Sequence, residues 1–177
     1  MMFDKEKAIQ VILYIANKIK EVDIHKAFKI LYFAEREHIA TYGSLIVGDM
    51  YIAMKNGPVP SATYNIIKEA RGNTPGSQKD KLNFTNFFEV KDNIIHPKTE
   101  ADSDFFSETE LECLDASIHR YKKYSFSKLT ELSHDKAWEK ASKNNEMSFE
   151  DIAKAGGAGK EMIKYINEVI ENHLMLS

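Results

Sequence analysis

The chain has 177 residues, of which 43% are hydrophobic and 29% charged, and its formal net charge at pH 7 is −3. This composition predicts a globular protein that buries a core of its own, and it excludes a disordered chain. Charges of both signs alternate along the sequence, which makes nucleic acid an unlikely partner because binding to phosphates draws on clustered cations.

The chain starts with seven charged residues among its first 22 positions, and no apolar run of about 18 residues occurs in it. These features predict neither a secretory signal nor a membrane span. Cys113 is the only cysteine, so no internal disulfide can form. We therefore expect a cytoplasmic protein without a membrane partner.

Two helices are predicted at the start of the chain. Asp4–Lys20 carries apolar residues at spacings of three and four, which is typical of a helix with one buried face. Asp23 is suited to cap a second helix that runs to about Thr41 and is ended by Gly43, a residue that readily takes the left-handed conformation. Apolar side chains cover more than one face of this second helix, so we expect it to be central.

An extended segment and a bend follow the second helix. Leu45–Met54 is apolar, and its glycine favours an extended piece or a short strand over a helix. Gly57, Pro58 and Pro60 then predict a rigid bend, because glycine takes unusual backbone angles and proline lacks an amide donor. This bend should set the direction of a helix over residues 61–70.

The middle of the chain combines a loop, a hairpin and a helix start. Residues 71–83 contain glycine, proline and charges with almost nothing to bury, which predicts a mobile loop. Phe87–Val90 and Ile94–His96 flank a polar turn and predict an antiparallel β-hairpin. Ser107 and Glu110 have the spacing of a capping box at the start of the next helix.

The remainder of the chain is predicted to be helical. Shorter helices are expected at 127–134, 136–142 and 148–154. A glycine-rich joint leads to a last helix over Lys160–Leu174; the joint is not a phosphate loop, since Glu161 stands where such a loop needs Ser or Thr. We predict an α+β fold, a predominantly helical single domain over residues 1–177 with one small antiparallel β-hairpin.

One block of the sequence contains an ordered set of motifs: a helical K-x-L-Y-F-A pattern, a Tyr-Gly pair and a Gly-Pro-Val turn. They lie at Lys29, Leu31, Tyr32, Phe33 and Ala34, then Tyr42 and Gly43, then Gly57, Pro58 and Val59. Farther along, His134 and Trp138 stand four residues apart in LSHDKAW. In order and spacing these elements resemble the Panacea domain, an antitoxin family that includes SocA-like and phage-associated proteins.

The resemblance implies the antitoxin of a toxin–antitoxin system, a protein without enzymatic activity that neutralises a cognate protein toxin by direct binding. SocA-like members are associated with delivery of the toxin to a Clp-type protease, so such a protease is a second implied partner. We expect the Gly-Pro-Val segment and its flanking helices to form the shared scaffold. The choice of toxin is expected to depend on residues 71–83 and the last helix.

Several residues of the resemblance are candidates for contacting the partner or defining the fold. Besides the Gly57–Val59 turn they include four tyrosines, Tyr32, Tyr42, Tyr51 and Tyr64. Aromatic residues at helical spacing more often belong to the core, but tyrosine keeps one polar end and is common at binding surfaces. Both interpretations stay open for each of them.

His134 and Trp138 have the same two interpretations. On one continuous helix they would share a face, either as a partner contact or as part of the core. We favour Trp138 as a core anchor, with the ring nitrogens of His134 bonded to nearby backbone. Loss of Trp138 should then unfold the protein.

Two other classes of function stay open. A DNA-binding regulator of its own operon could contain a helix-turn-helix among the short helices, although no basic recognition helix is evident. A hydrolase or metal enzyme is the weakest alternative, because the six histidines show no ligand spacing and Cys113 has no neighbouring cation. We expect no catalytic residue, no metal and no cofactor.

Overall fold

The computed structural model describes residues 2–72, 86–141 and 143–175, the last three by their backbone alone. The described residues form a predominantly helical α+β fold, as predicted. The helices are α1 (Lys5–Lys18), α2 (Ile24–Tyr42), α3 (Ser61–Ala70), α4 (Glu108–Tyr121), α5 (Phe126–Ser133), α6 (Lys136–Lys140), α7 (Phe149–Ala155) and α8 (Lys160–Met175). The strands are β1 (Tyr51–Met54), β2 (Gly57–Pro60), β3 (Phe88–Lys91) and β4 (Ile94–Pro97). The predicted mobile loop, 71–83, lies almost entirely outside the described residues.

Helix α2 is the centre of the fold, as its apolar pattern predicted. The Asp23 carboxylate accepts a hydrogen bond from the backbone amide of Lys26 at 2.8 Å and so caps its start. Gly43 ends it with a φ of 78°. Helices α1, α4, α5 and α7 and strand β2 all pack against α2. Its buried apolar residues therefore belong to one continuous hydrophobic core.

The predicted hairpin is formed by β3 and β4, which pair antiparallel. A second hairpin, β1 with β2, was missed because residues 57–60 were interpreted as a bend. In this hairpin Pro58 lies opposite Ala53, and Pro60 lies opposite Tyr51. Ala53 and Tyr51 direct their backbone groups away from β2, towards residues 144–147 on the other side of β1. At both proline positions a backbone amide would point away from β1, so the pairing of β2 with β1 does not need the amide donors that proline lacks.

Two buried carboxylates hold the segment between α2 and β1 in place. Glu35 of α2 accepts hydrogen bonds from the backbone amides of Ile46 and Val47, the second at 3.0 Å. Asp49 accepts from the amide and hydroxyl of Thr63, both at 2.7 Å, and so caps α3, whose preceding residue is a proline that cannot do so. The connection therefore depends on long-range side-chain bonds that its local sequence does not indicate.

In the second half of the chain, polar side chains cap the starts of the helices. The Ser107 and Glu110 side chains form the expected capping box at the start of α4. Ser148 accepts from the amide of Asp151 at the start of α7. Residues 156–159 separate α7 from α8, which confirms the predicted helix–helix joint.

Candidate functional site

A cavity of about 740 Å³ opens between hairpin β1–β2 and helices α2, α3 and α5. We call it the hairpin groove. Its apolar lining includes Phe28, Ile52, Met54, Val59, Tyr64 and Phe126. A concave, mostly apolar surface with a few polar groups is the usual form of a binding site.

The strand alternation of the hairpin explains this lining. Tyr51 and Ala53 point into the core and are almost completely buried, so the next residues along β1 point to the opposite face. Ile52 lies directly opposite Val59 across the hairpin, and both side chains line the groove. The Gly-Pro-Val turn of the sequence therefore contributes one wall of the groove through Val59.

Lys29 lies at the base of this wall and is only 1% exposed. Its ammonium group donates a hydrogen bond to the carbonyl oxygen of Pro58 at 2.7 Å. Burial lowers the pKa of Lys29 to about 7, because the charged form loses its hydration. The bond explains the sequence motif physically, since the lysine of the helix pattern holds the Gly-Pro-Val strand against α2.

His25, one turn before Lys29 on α2, also lines the groove. Its Nε2 atom lies 3.1 Å from the hydroxyl of Thr130, and its ring stacks on Phe126 with the centroids 3.8 Å apart. Burial, and to a smaller extent the nearby Lys29 charge, lower the pKa of His25 to about 4. Its Nδ1 atom is buried and has no hydrogen-bond partner among the described residues.

At Gly57, any amino acid with a side chain would strain the backbone of the turn. It has a φ of 94°, and a Cβ built on it would clash with the hydroxyl of Ser133 and lie 2.8 Å from Cε of Lys29. Gly157 has the same φ, but a Cβ there would meet nothing within 4 Å. A comparison of the same substitution at Gly57 and at Gly157 therefore separates the cost of backbone strain from the cost of close packing.

We expect Gly57→Ala to lower the free energy of unfolding by about 2–3 kcal/mol, because both the backbone and the packing oppose a methyl group. Gly157→Ala should cost about 1 kcal/mol, from the backbone alone. Urea unfolding of both variants measures the difference. Equal losses would show that the contact of Gly57 with Lys29 and Ser133 is unimportant.

The His134–Trp138 pair differs from the prediction of one shared helix. Helix α5 ends at Ser133 and α6 begins at Lys136, so the two residues lie on either side of a helix break. Their rings nevertheless stack, with centroids 3.6 Å apart and planes at 9°. Trp138 is half-buried and donates from Nε1 to the carbonyl of Met54 at 2.9 Å, which ties α6 to the hairpin.

The expected backbone bond of one His134 ring nitrogen is not found, since Nε2 is buried without a partner among the described residues. The stack on Trp138 covers the ring instead. The pair is therefore a packing contact beside the hairpin.

Asp135, between them, is the residue that sequence reasoning missed. Its carboxylate accepts from the hydroxyl of Tyr32 at 2.8 Å and from Nη1 of Arg36 at 2.7 Å. It also accepts from the amides of Ala137 and Trp138 at the start of α6. The signal was present as an N-cap residue before a short helix. Asp135 thus joins the LSHDKAW segment to the central helix.

The four candidate tyrosines are spread over the molecule. Tyr32 and Tyr51 are fully buried and contact each other edge to face, with centroids 5.2 Å apart. Tyr64 packs on Phe28 and lines the groove. Tyr42 is 41% exposed at the far end of α2, beside His38. Of the sequence candidates, Val59 and Tyr64 line the groove, Gly57 and Pro58 support its wall, and Tyr42 lies elsewhere.

Other kinds of site find little support. Within residues 2–72, 86–141 and 143–175, no group of three or more His, Cys, Asp or Glu side chains could hold a metal ion. Cys113 is buried, and burial raises its pKa to about 11, which disfavours the thiolate. No helix in the described part of the chain is both long enough and apolar enough to cross a bilayer.

The comparisons with known proteins agree with the motif order. A family model described as "Antitoxin SocA-like, Panacea domain" matches residues 28–139, more than half of the chain. No curated protein and no solved structure gives a significant match. The matched segment runs from within α2 to α6 and contains both hairpins and 13 of the 16 residues that line the groove.

Proposed function

Because this chain belongs to the SocA-like antitoxin family with a Panacea domain, we propose that it neutralises a cognate protein toxin by binding to it directly. The observation that carries the proposal is the family match over residues 28–139. In this proposal the chain acts in the cytoplasm as a binding protein, and its folded surface, not a bond-making site, provides the activity.

The geometry of the hairpin groove supports a binding role. The groove is mostly apolar, and two of its side chains are well exposed, Met54 at 40% and Phe126 at 52%. Exposed apolar side chains grouped around a concavity favour contact with another protein. The side walls are held by Lys29, Asp135 and the Trp138 indole, so the surface is formed before a partner arrives.

Co-expression with the adjacent reading frame tests the proposal. We expect a toxic neighbour to stop growth alone, and growth to recover when this chain is expressed with it. The two proteins should also co-purify through a tag on either one. Continued growth arrest together with failure to co-purify would contradict the proposal.

The proposal has two forms, which the lifetime of the toxin distinguishes. Direct blockage leaves the toxin present in an inactive complex, whereas delivery to a Clp-type protease shortens its half-life in a protease-dependent manner. A pulse-chase measurement of the half-life of tagged toxin, with and without this chain and with and without the protease, distinguishes blockage from delivery. Recovery of growth with an unchanged toxin half-life would exclude delivery.

The alternative function, a DNA-binding repressor of its own operon, is tested separately by a gel shift with the upstream DNA at moderate salt.

We propose that the choice of toxin depends on residues 71–83 and α8. Exchange of α8 between two relatives should move toxin pairing, and unchanged pairing would remove that assignment.

A further inference from the structure

The hairpin groove contains a buried lysine, Lys29, without a matching anion among the described residues. Lys29 makes its one hydrogen bond to an uncharged carbonyl, that of Pro58, and forms no ion pair with a described residue. An ammonium group has three donors, so two remain for other partners. A buried charge without a counter-charge is unfavourable, and an anion brought by a ligand would compensate it.

A second polar atom of the groove is also without a partner. The Nδ1 atom of His25 is buried, and the other ring nitrogen is the one that contacts Thr130 and Asn56. Depending on the tautomer, Nδ1 donates or accepts. Unpaired polar atoms in a native protein call for an explanation, and a polar group of a bound partner is one.

The charged groups that line the groove favour an anionic occupant. Lys29, Lys55 and Arg71 are cationic, while Asp23 and Asp92 are anionic. With Lys29 protonated, three cations against two anions give the lining a net charge of +1, whereas the whole chain carries −3. Complementary charge of this kind selects and orients a partner.

The apolar rim indicates the size of the occupant. Met54 and Phe126 stand at 40% and 52% exposure on two different elements, β1 and α5. A small carboxylic acid would pair with Lys29 and leave both rim side chains in water. A polypeptide with apolar side chains on either side of an acidic residue would cover them while its carboxylate reaches the lysine.

We propose that the hairpin groove binds a segment of the toxin in which a carboxylate flanked by apolar side chains pairs with the Lys29 ammonium group. This inference rests on the proposed function, since it names the surface and the chemistry by which the toxin is held. Met54, Val59 and Phe126 contact the apolar flanks, and the carbonyl of Pro58 keeps the ammonium group in position.

The test is a calorimetric titration of purified chain with purified toxin from the co-expressed pair. Phe126→Asp and Met54→Glu place a negative charge on the exposed rim, and each should weaken toxin binding by at least about tenfold. Met2→Glu is the matched control for Met54→Glu, because Met2 is an exposed methionine, at 76%, that does not line the groove. Its affinity for toxin should stay within about twofold of the unaltered chain.

Lys29→Met tests the charge pair itself and should weaken binding by at least about tenfold. The acidic residue of the toxin is found by changing each Asp or Glu of the toxin in turn to its amide. The correct amide variant should weaken binding to the unaltered chain but cause little further loss with Lys29→Met, as a double-mutant cycle requires for a direct pair.

Each result decides the question. Should Lys29→Met fail to fold in a thermal melt, the two rim variants still measure occupancy of the groove. Unchanged toxin affinity in Phe126→Asp and Met54→Glu, or a large loss in Met2→Glu alone, would overturn this inference while the antitoxin function stands. No binding of toxin by the unaltered chain would overturn the proposed function and this inference together.

Discussion

Asp135→Ala should lower the free energy of unfolding by about 3–5 kcal/mol, a large part of the roughly 5–15 kcal/mol that is typical of a folded protein. The change leaves the hydroxyl of Tyr32, the guanidinium of Arg36 and two amides of α6 without their acceptor. Tyr32 is fully buried, and the Asp135 side chain is only 14% exposed, so water cannot replace the lost carboxylate fully. Denaturant unfolding, followed by the fluorescence of Trp138, measures the loss directly.

Asp115→Ala is the matched control. Asp115 also accepts from a tyrosine hydroxyl, that of Tyr14 at 2.8 Å, and lies near a cation, Lys18 at 3.7 Å, but its side chain is 52% exposed. Its loss should cost less than about 1 kcal/mol, because exposed pairs contribute little. Similar costs for the two alanine variants would show that burial does not give Asp135 its importance.

The second large effect concerns the pH dependence of stability through Glu35. Burial raises the pKa of the Glu35 carboxyl to about 8, and the bonds from the amides of Val47 and Ile46 oppose this only partly. Between pH 4.5 and 8 the folded state therefore holds a proton that the unfolded state has released. This contribution to stability is complete below pH 4.5 and is lost as pH rises through 8, on the order of 4 kcal/mol in total.

The quantity to measure is the difference in unfolding free energy between the unaltered chain and Glu35→Gln, at intervals from pH 5 to pH 9. A glutamine does not titrate, so the advantage of the unaltered chain should shrink as pH rises. The difference is needed because the lowered pKa of His25 acts in the opposite direction between about pH 4 and 6.5. The lowered pKa of Lys29 does the same between about pH 7 and 10.5.

Glu131→Gln provides the control for this series. Glu131 lies on α5 with its side chain 68% exposed and pairs with Lys128. Its replacement should leave the pH dependence as it is in the unaltered chain. A difference for Glu35→Gln that stays constant from pH 5 to pH 9 would mean that the folded state keeps Glu35 ionised throughout.

Much of the fold could be predicted because its signals are local. The caps at Asp23 and Gly43, the capping box at Ser107 and the hairpin around residues 88–97 each depend on residues a few positions apart. Hairpin β1–β2 was missed since two of its four β2 residues are prolines, which a local pattern excludes from strands. The strand forms because those prolines face away from β1, a fact that depends on residues 144–147.

The site was predicted less completely than the fold, for a physical reason. Val59 and Tyr64 line the groove and were chosen from the motif, but Lys29 was noted only as a motif letter. A lysine in a helix is normally expected to face water, and nothing near it in sequence shows that the Pro58 carbonyl lies 2.7 Å away. Asp135 and Glu35 were not predicted for the same reason. The partners of Asp135 lie about 100 residues away in the sequence, and those of Glu35 lie about 11 residues away.

The outer edge of β2 has a consequence for how the protein associates with others. An unpaired strand normally offers a row of amides and carbonyls on which another strand can grow, which leads to fibres or to binding by strand addition. Here Pro58 and Pro60 remove the outward amides, and the Lys29 ammonium group occupies the Pro58 carbonyl. This edge is therefore closed to strand addition, and a partner that contacts it must do so through side chains.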